Sequence, residues 1–233
     1  MLFIALFILE LFILYLLSHN LYVLIFQLLY RVTKNKKATI HLLAILFLPG
    51  TLLHEVSHWI MANLLFVQTG AMSLIPKMDE KGNLRLGSVM VAQSDIIRRL
   101  IIGAAPVILG VSIMLTALYF AFKQNIFDNY LIIFLLGCLV FQIGNTMFSS
   151  KKDMEGALGL ILTLIVATIV FYFLGLQLHV DISRVMELFS SPIVLNIFLK
   201  GSLYLLIPIL IDLLFILILK PIYKSGNRQS NKN

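Results

Sequence analysis

The sequence predicts an all-α polytopic membrane protein with about six transmembrane helices and a small membrane-associated β-hairpin. Of its 233 residues, 60% are hydrophobic and only 12% are charged. Several apolar runs exceed the roughly 20 residues that cross a hydrocarbon layer about 30 Å thick. One soluble core could not bury this much apolar surface, so we expect lipid to surround most of the chain. Residues 1–233 are therefore predicted to form a single integral membrane domain.

The predicted spans are separated by short polar segments. The first run is long for one crossing and is interrupted by Ser18-His19-Asn20, so we expect one long tilted helix, with two crossings as the alternative. A polar tail, 221–233, follows the last span. In chain order, the six predicted spans cover residues 2–30, 40–67, 96–122, 130–148, 155–176 and 195–219.

The one long polar stretch between spans, 68–95, predicts the hairpin. Residues 71–76 and 84–92 have strand-like composition, and the Asp-Glu-Lys-Gly-Asn sequence at 79–83 has turn chemistry. Pro76 lacks a backbone N–H, which favours an edge position for the first strand. We expect this hairpin to lie at the membrane surface.

The distribution of basic residues predicts the topology. Six spans place both termini on one side, and that side would hold 11 Lys and Arg residues against 7 on the other. We therefore expect cytoplasmic termini in a cell membrane. The net charge of +7 comes from short clusters between apolar runs, which is typical of contacts with lipid headgroups and argues against nucleic-acid binding. Cys138 is the single cysteine, so an intramolecular disulfide is excluded.

Polar residues inside the second apolar run point to chemistry. His54 and His58 are four residues apart, so both side chains project from one face of a helix and can bind one Zn²⁺ ion. Glu55 lies beside them and is suited to act as the general base toward water at the metal. Ionisable groups are costly within a membrane, which makes them candidates for function.

A catalytic zinc site needs a third protein ligand, and acidic residues outside the motif are few. Asp153 and Glu155 lie where the fourth and fifth spans meet, and Asp212 lies deep in the sixth span. In the six-span topology the second and fourth spans run in the same direction, so Asp153 can reach the same half of the membrane as the histidines. Glu155 and Asp212 stay open as alternatives.

Three stretches, in the same order, resemble the site-2 proteases, a family of intramembrane zinc metalloproteases. Residues 53–58 (LHEVSH) are similar to the HExxH helix, and 103–110 (GAAPVILG) are similar to a small-residue segment that opens the next span. Residues 145–153, from Asn145 to Asp153, are similar to the motif that ends in the metal-binding Asp. Here two Ser and two Lys precede Asp153, where the family usually has prolines.

The resemblance implies a metalloprotease core at 40–160, an N-terminal span and loop at 1–39, and C-terminal spans at 161–220. It implies Zn²⁺ held by His54, His58 and Asp153, and contact of Asn145 with the substrate backbone. Asn145 could instead bind the oxyanion, or form a hydrogen bond between helices.

We therefore expect hydrolysis of a peptide bond in or next to a transmembrane segment of a membrane-protein substrate. An unwound substrate could add as a strand to the segment 84–91, where Leu86 and Val89 are the candidate contacts. Two alternatives stay open. One is a transporter or scaffold with a relict motif; the other is a different HExxH membrane protease with a Glu as third ligand. The sequence does not fix the oligomeric state.

Overall fold

The computed structural model describes residues 2–78, 84–124, 128–148 and 191–230, with isolated positions between 159 and 171. Over these residues the protein is mostly helical, with two short antiparallel β-ladders. In chain order, the elements are α1 (Leu2–Thr33), α2 (Lys36–Leu46), α3 (Leu48–Leu64), β1 (Thr69–Ser73), β2 (Lys77–Met78), β3 (Leu84–Arg85), β4 (Ser88–Val91), α4 (Ile96–Lys123), α5 (Tyr130–Thr146) and α6 (Pro192–Ser230).

Three of these helices are long and apolar enough to cross a membrane: α1, α4 and the part of α6 up to Tyr223. Counting α2 and α3 together as one span gives four, and α5 is a shorter apolar helix of 17 residues. The architecture is therefore that of a helical membrane protein. The predicted fifth span, 155–176, lies largely outside the described residues, so the count of six stays a prediction.

The first apolar run forms a single 32-residue helix, as predicted. The Ser18 hydroxyl, in the polar triplet, donates to the Tyr15 carbonyl at 3.0 Å, which satisfies it within the helix. Two crossings would need a break in this run, and α1 has none. At the other end of the chain, α6 extends to Ser230 and so includes most of the predicted polar tail.

The predicted span over 40–67 is divided between two helices, and the chain bends by 73° between α2 and α3. Phe47 ends α2, and Pro49 lies in the first turn of α3. Proline has no N–H to extend the preceding helix, whereas it fits the first turn of a new one. The motif therefore lies on a separate helix of 17 residues.

The hairpin is present, but it is split into two ladders. β1 pairs with β4, with an irregularity between Thr69 and Met72, and β2 pairs with β3. Pro76 lies between β1 and β2, where its missing N–H interrupts pairing, and Gly87 lies between β3 and β4. The predicted turn at 79–83 lies outside the described residues.

Packing brings α1, α4, α5 and α6 around one apolar cluster, which includes Leu14, Met114, Val140 and Leu205. A second cluster joins α1 and α2 to the hairpin through Leu86. The helices α1 and α6 share the most extensive contact. Many Leu, Ile and Phe side chains on the outer faces are exposed, as expected for a surface in contact with lipid.

Candidate metal centre

The motif residues lie on the buried face of α3. His54, Glu55 and His58 are 5%, 6% and 9% exposed. A buried face that carries two imidazoles and a carboxylate is costly in an apolar bundle unless these groups bind one another or a ligand. These three side chains therefore form the candidate functional site.

The two imidazoles approach each other through one nitrogen each. His54 Nε2 lies 3.3 Å from His58 Nε2, and the rings meet edge to face with centroids 4.9 Å apart. His58 Nδ1 lies 2.8 Å from the carbonyl oxygen of Ile102 in α4. Because a carbonyl only accepts, His58 Nδ1 must carry the proton, which leaves a lone pair on its Nε2.

These nitrogens fit a zinc ion. Zinc bonds to histidine of about 2.0–2.1 Å at a tetrahedral angle place two ligand nitrogens about 3.3 Å apart. Donation from the second ring nitrogen to a backbone carbonyl is also the usual arrangement of a metal-binding histidine, because it fixes the tautomer and the orientation of the ring. The same 3.3 Å separation would also suit a hydrogen bond between the two rings.

Two glycines allow the helices around the motif to approach closely. A Cβ on Gly50 of α3 would lie 2.6 Å from both the Gln142 carbonyl and the Thr146 hydroxyl of α5. A Cβ on Gly110 of α4 would lie 3.2 Å from side-chain atoms of α5. The small-residue segment 103–110 is therefore a packing site between helices, in agreement with the close approach that small residues permit in membranes.

A small cavity lies between these three helices. Its lining includes His54 and Ser57 of α3, Pro106 and Gly110 of α4, and Thr146 and Met147 of α5. His54 therefore faces the junction of α3, α4 and α5, and the chain between 148 and 155, which carries Asp153, follows directly after α5.

The hairpin covers Glu55. A Cβ on Gly87 would lie 2.8 Å from Glu55 Cγ, 2.9 Å from Glu55 Oε1 and 2.9 Å from Thr51 Cγ2. No side chain larger than hydrogen fits at position 87 without displacing one of these groups. The segment between β3 and β4 therefore runs directly over the carboxylate of the motif.

The two predicted substrate contacts of the hairpin, Leu86 and Val89, have different surroundings. Leu86 is 7% exposed and packs against Leu21, Leu43 and Phe47 of α1 and α2, so it anchors the hairpin to the helices. Val89 is half-buried in β4, opposite Met72 of β1. Among the described residues β4 pairs with β1 alone, so its other edge has no strand partner.

Asn145 is 5% exposed and forms a hydrogen bond between helices. Its Nδ2 donates to Asp212 Oδ1 of α6 at 2.8 Å and to the Phe141 carbonyl at 3.0 Å. Asp212 is 1% exposed. Of the three roles open for Asn145, the interhelical one is therefore present, and it engages Asp212, one of the alternative ligands.

The leading candidates for the third ligand, Asp153 and Glu155, lie outside the described residues. Within the part of the chain that is described, no group of three or more metal-binding side chains comes together. The histidine pair is thus the described part of the candidate centre.

Sequence reasoning missed three contributors to this site: Gly50, Gly87 and the Ile102 carbonyl. Gly50 follows Pro49 within an apolar run, and a small residue in such a run indicates helix packing, so this signal was available. The contacts of Gly87 and Ile102 depend on elements that are far apart in the chain, and no local pattern indicates them.

Comparison with protein-family models, with curated proteins and with solved structures finds no match to this chain.

Proposed function

We propose that the protein is an intramembrane zinc metallopeptidase, similar to the site-2 proteases, that hydrolyses a peptide bond in or next to a transmembrane segment. The observation that carries this proposal is the histidine pair: two Nε2 atoms 3.3 Å apart, with the His58 tautomer fixed by the Ile102 carbonyl. Glu55 follows His54 directly, and all three side chains are buried in an apolar helical bundle.

The roles of the side chains follow from their chemistry. His54 and His58 would hold Zn²⁺ through Nε2, with Asp153 as the third ligand. When bound, Zn²⁺ supplies Lewis-acid chemistry, which polarises the scissile carbonyl and favours ionisation of water. Glu55 takes the proton from the attacking water and passes it to the leaving amine, as a general base and then a general acid.

The hairpin is the proposed substrate platform. A transmembrane helix satisfies its carbonyls internally, so a substrate must unwind before hydrolysis, and its freed backbone groups then need partners. The edge of β4 that has no strand partner among the described residues can supply them by strand addition. Gly87 brings this segment within contact distance of Glu55, so a strand added here would lie close to the general base.

The proposed setting is a cell membrane with both termini in the cytoplasm. This orientation rests on the excess of Lys and Arg on the side of the termini.

A transporter or scaffold that retains only a relict motif is the second candidate, favoured by the fact that 3.3 Å also suits a hydrogen bond between His54 and His58. The two candidates differ in their metal content. The peptidase binds about one zinc per chain, since its ligands form one site. A relict motif whose imidazoles bind each other has no need of metal.

Metal analysis of the purified protein tests the proposal and the ligand assignment together. We expect stoichiometric zinc in the wild type, loss of zinc in His54→Ala and in Asp153→Ala, and cleavage of a model transmembrane substrate that a chelator stops and added zinc restores. Unchanged zinc in Asp153→Ala would move the third ligand to Glu155 or Asp212. Absence of zinc from an active wild type would refute the metal centre.

A further inference from the structure

We propose that Asp212 is a positioning residue, which fixes the amide of Asn145 so that Asn145 serves the substrate backbone as a hydrogen-bond acceptor and not the oxyanion as a donor. This inference rests on the proposed peptidase function and specifies how one side chain of that site is used.

The orientation of the Asn145 amide follows from its partners. A primary amide has two N–H donors on nitrogen and one acceptor oxygen. The Asp212 carboxylate and the Phe141 carbonyl both accept, at 2.8 and 3.0 Å, so both must face the Asn145 nitrogen. These two acceptors therefore fix the orientation of the Asn145 amide, with its nitrogen toward Asp212 and Phe141 and its oxygen on the other side.

Because both N–H groups are in use, Asn145 has only its oxygen left to offer. Asn145 Oδ1 is buried, and no group in the described part of the chain donates to it. A buried acceptor without a donor is costly, so Asn145 Oδ1 can gain a hydrogen bond when a ligand brings a donor. The backbone N–H groups of an unwound substrate are such donors, whereas an oxyanion would itself need a donor.

The position of Asn145 is consistent with this role. Phe141 stacks on Phe47, which lies between α2 and α3, and Thr146 contacts Gly50 of α3. Asn145 lies between these two contact points on α5. Thr51, next to Gly50, touches the hairpin at Gly87. Asn145 therefore lies at about the same height along the helix bundle as the contact between the hairpin and α3. Asp212 of α6 lies at this height too, because it bonds to Asn145.

The exchange variant Asn145→Asp/Asp212→Asn separates the acceptor role from the donor role. In the exchange, the amide at position 212 donates to the carboxylate at position 145, whose second oxygen remains an acceptor. The exchange gives up the hydrogen bond to the Phe141 carbonyl, so we expect KM to rise about tenfold with a smaller change in kcat. A loss of kcat of about 10²–10³-fold at unchanged KM is the signature of a lost oxyanion donor and would overturn the proposal.

Variants at position 212 alone supply the comparison. Asp212→Asn keeps an acceptor for Asn145 and should retain wild-type KM, whereas Asp212→Leu removes it and should raise KM about tenfold, with a smaller change in kcat. Zinc content should stay at the wild-type level in both variants. Loss of zinc in Asp212→Leu would instead make Asp212 a metal ligand and refute its positioning role.

A substrate-side measurement does not depend on the folding of the exchange variant. A set of model substrates, each carrying one N-methyl group in place of a backbone N–H near the scissile bond, is cleaved by wild type and by Asn145→Ala. We expect one position whose methylation raises KM for wild type about tenfold but leaves KM of Asn145→Ala unchanged. If every position affects both proteins equally, the acceptor role is refuted.

Controls keep this inference distinct from the proposed function. If Glu55→Gln and wild type cleave the substrate equally, the peptidase proposal fails, and the role of Asp212 fails with it. If cleavage depends on Glu55 but the N-methyl effect is absent, only the role of Asp212 and Asn145 is refuted.

Discussion

The carboxylates of Glu55 in α3 and Glu10 in α1 are both buried, but their surroundings differ. Both lie in apolar helices, and they are 6% and 4% exposed. Glu10 Oε1 accepts from the Ser202 hydroxyl of α6 at 2.8 Å, within the most extensive helix contact of the structure. Glu55 instead lies beside two histidines and beneath the backbone of the hairpin.

The difference lies in the partners of the two carboxylates, and we expect it to separate a packing role for Glu10 from a catalytic role for Glu55. The Glu10–Ser202 hydrogen bond joins α1 and α6, and interhelical hydrogen bonds stabilise membrane proteins by about 0.6 kcal/mol on average. On α3, the Nε2 atoms of His54 and His58 lie close together, and Gly87 of the hairpin leaves space for the Glu55 carboxylate. Helix association requires neither feature. The contrast predicts that substitutions at the α3 site reduce cleavage strongly, whereas substitution of Glu10 changes cleavage little.

The largest effect is expected from His54→Ala. Removal of one imidazole leaves too few ligands for a stable zinc site, so bound zinc and all measurable cleavage should be lost. Metal analysis and a cleavage assay on detergent-purified protein measure both. His41→Ala is the matched control, because His41 is an exposed histidine on α2 that contacts only the Lys37 carbonyl among described groups. Equal loss in both variants would contradict a specific site at His54.

Gly87→Ala should reduce cleavage by about 10²-fold, because the new methyl group displaces Glu55 or the hairpin by a fraction of an ångström to an ångström. Zinc content should not change. Gly137→Ala on α5 is the control, since a Cβ there meets nothing within 4 Å. Full activity of Gly87→Ala would show that the contact between hairpin and carboxylate has no role in cleavage.

Leu86→Ala should loosen the hairpin. The change leaves a cavity among the α1 and α2 side chains and costs about 2 kcal/mol of docking free energy. The rate of tryptic nicking within the hairpin should therefore rise more than tenfold, as seen by mass spectrometry of the fragments. Val89→Ala, at a half-buried position of β4, should change the rate much less. Equal rates in the two variants would mean that Leu86 is not the anchor.

The smallest effect is expected from Glu10→Gln. The amide oxygen can still accept from Ser202, so zinc content and cleavage should equal those of wild type, and stability should change by about 1 kcal/mol or less. Thermal unfolding in detergent, together with the cleavage assay, measures this. Loss of cleavage in a stable Glu10→Gln protein would show that Glu10 is needed for cleavage as well as Glu55.

Local sequence predicted the parts of the structure that depend on hydropathy and helical period. The bounds of α1 and α4 follow from apolar run length, and the shared face of His54 and His58 follows from their spacing of four. The bend at Phe47 was missed, although Pro49 supplies a physical cause, because the hydropathy of the run is continuous across it.

Tertiary contacts account for the remainder. Asn145 and Asp212 are 67 residues apart, and His58 and Ile102 are 44 apart, so their pairing depends on how the helices pack and on nothing local. The hairpin was predicted from composition, yet its position over Glu55 follows from Leu86 fitting between α1 and α2. The position of the motif can be predicted from the sequence, whereas the groups that surround it are determined by helix packing.

Cleavage of a model transmembrane substrate by Glu55→Gln, compared with wild type at equal zinc occupancy, tests the central claim most directly. Glutamine keeps the size of Glu55 under Gly87 but cannot accept a proton from water. We predict that cleavage falls by about 10²–10⁴-fold, the usual contribution of a general base, while zinc content stays at the wild-type level. Cleavage by Glu55→Gln at the wild-type rate would contradict the claim that this carboxylate carries the chemistry.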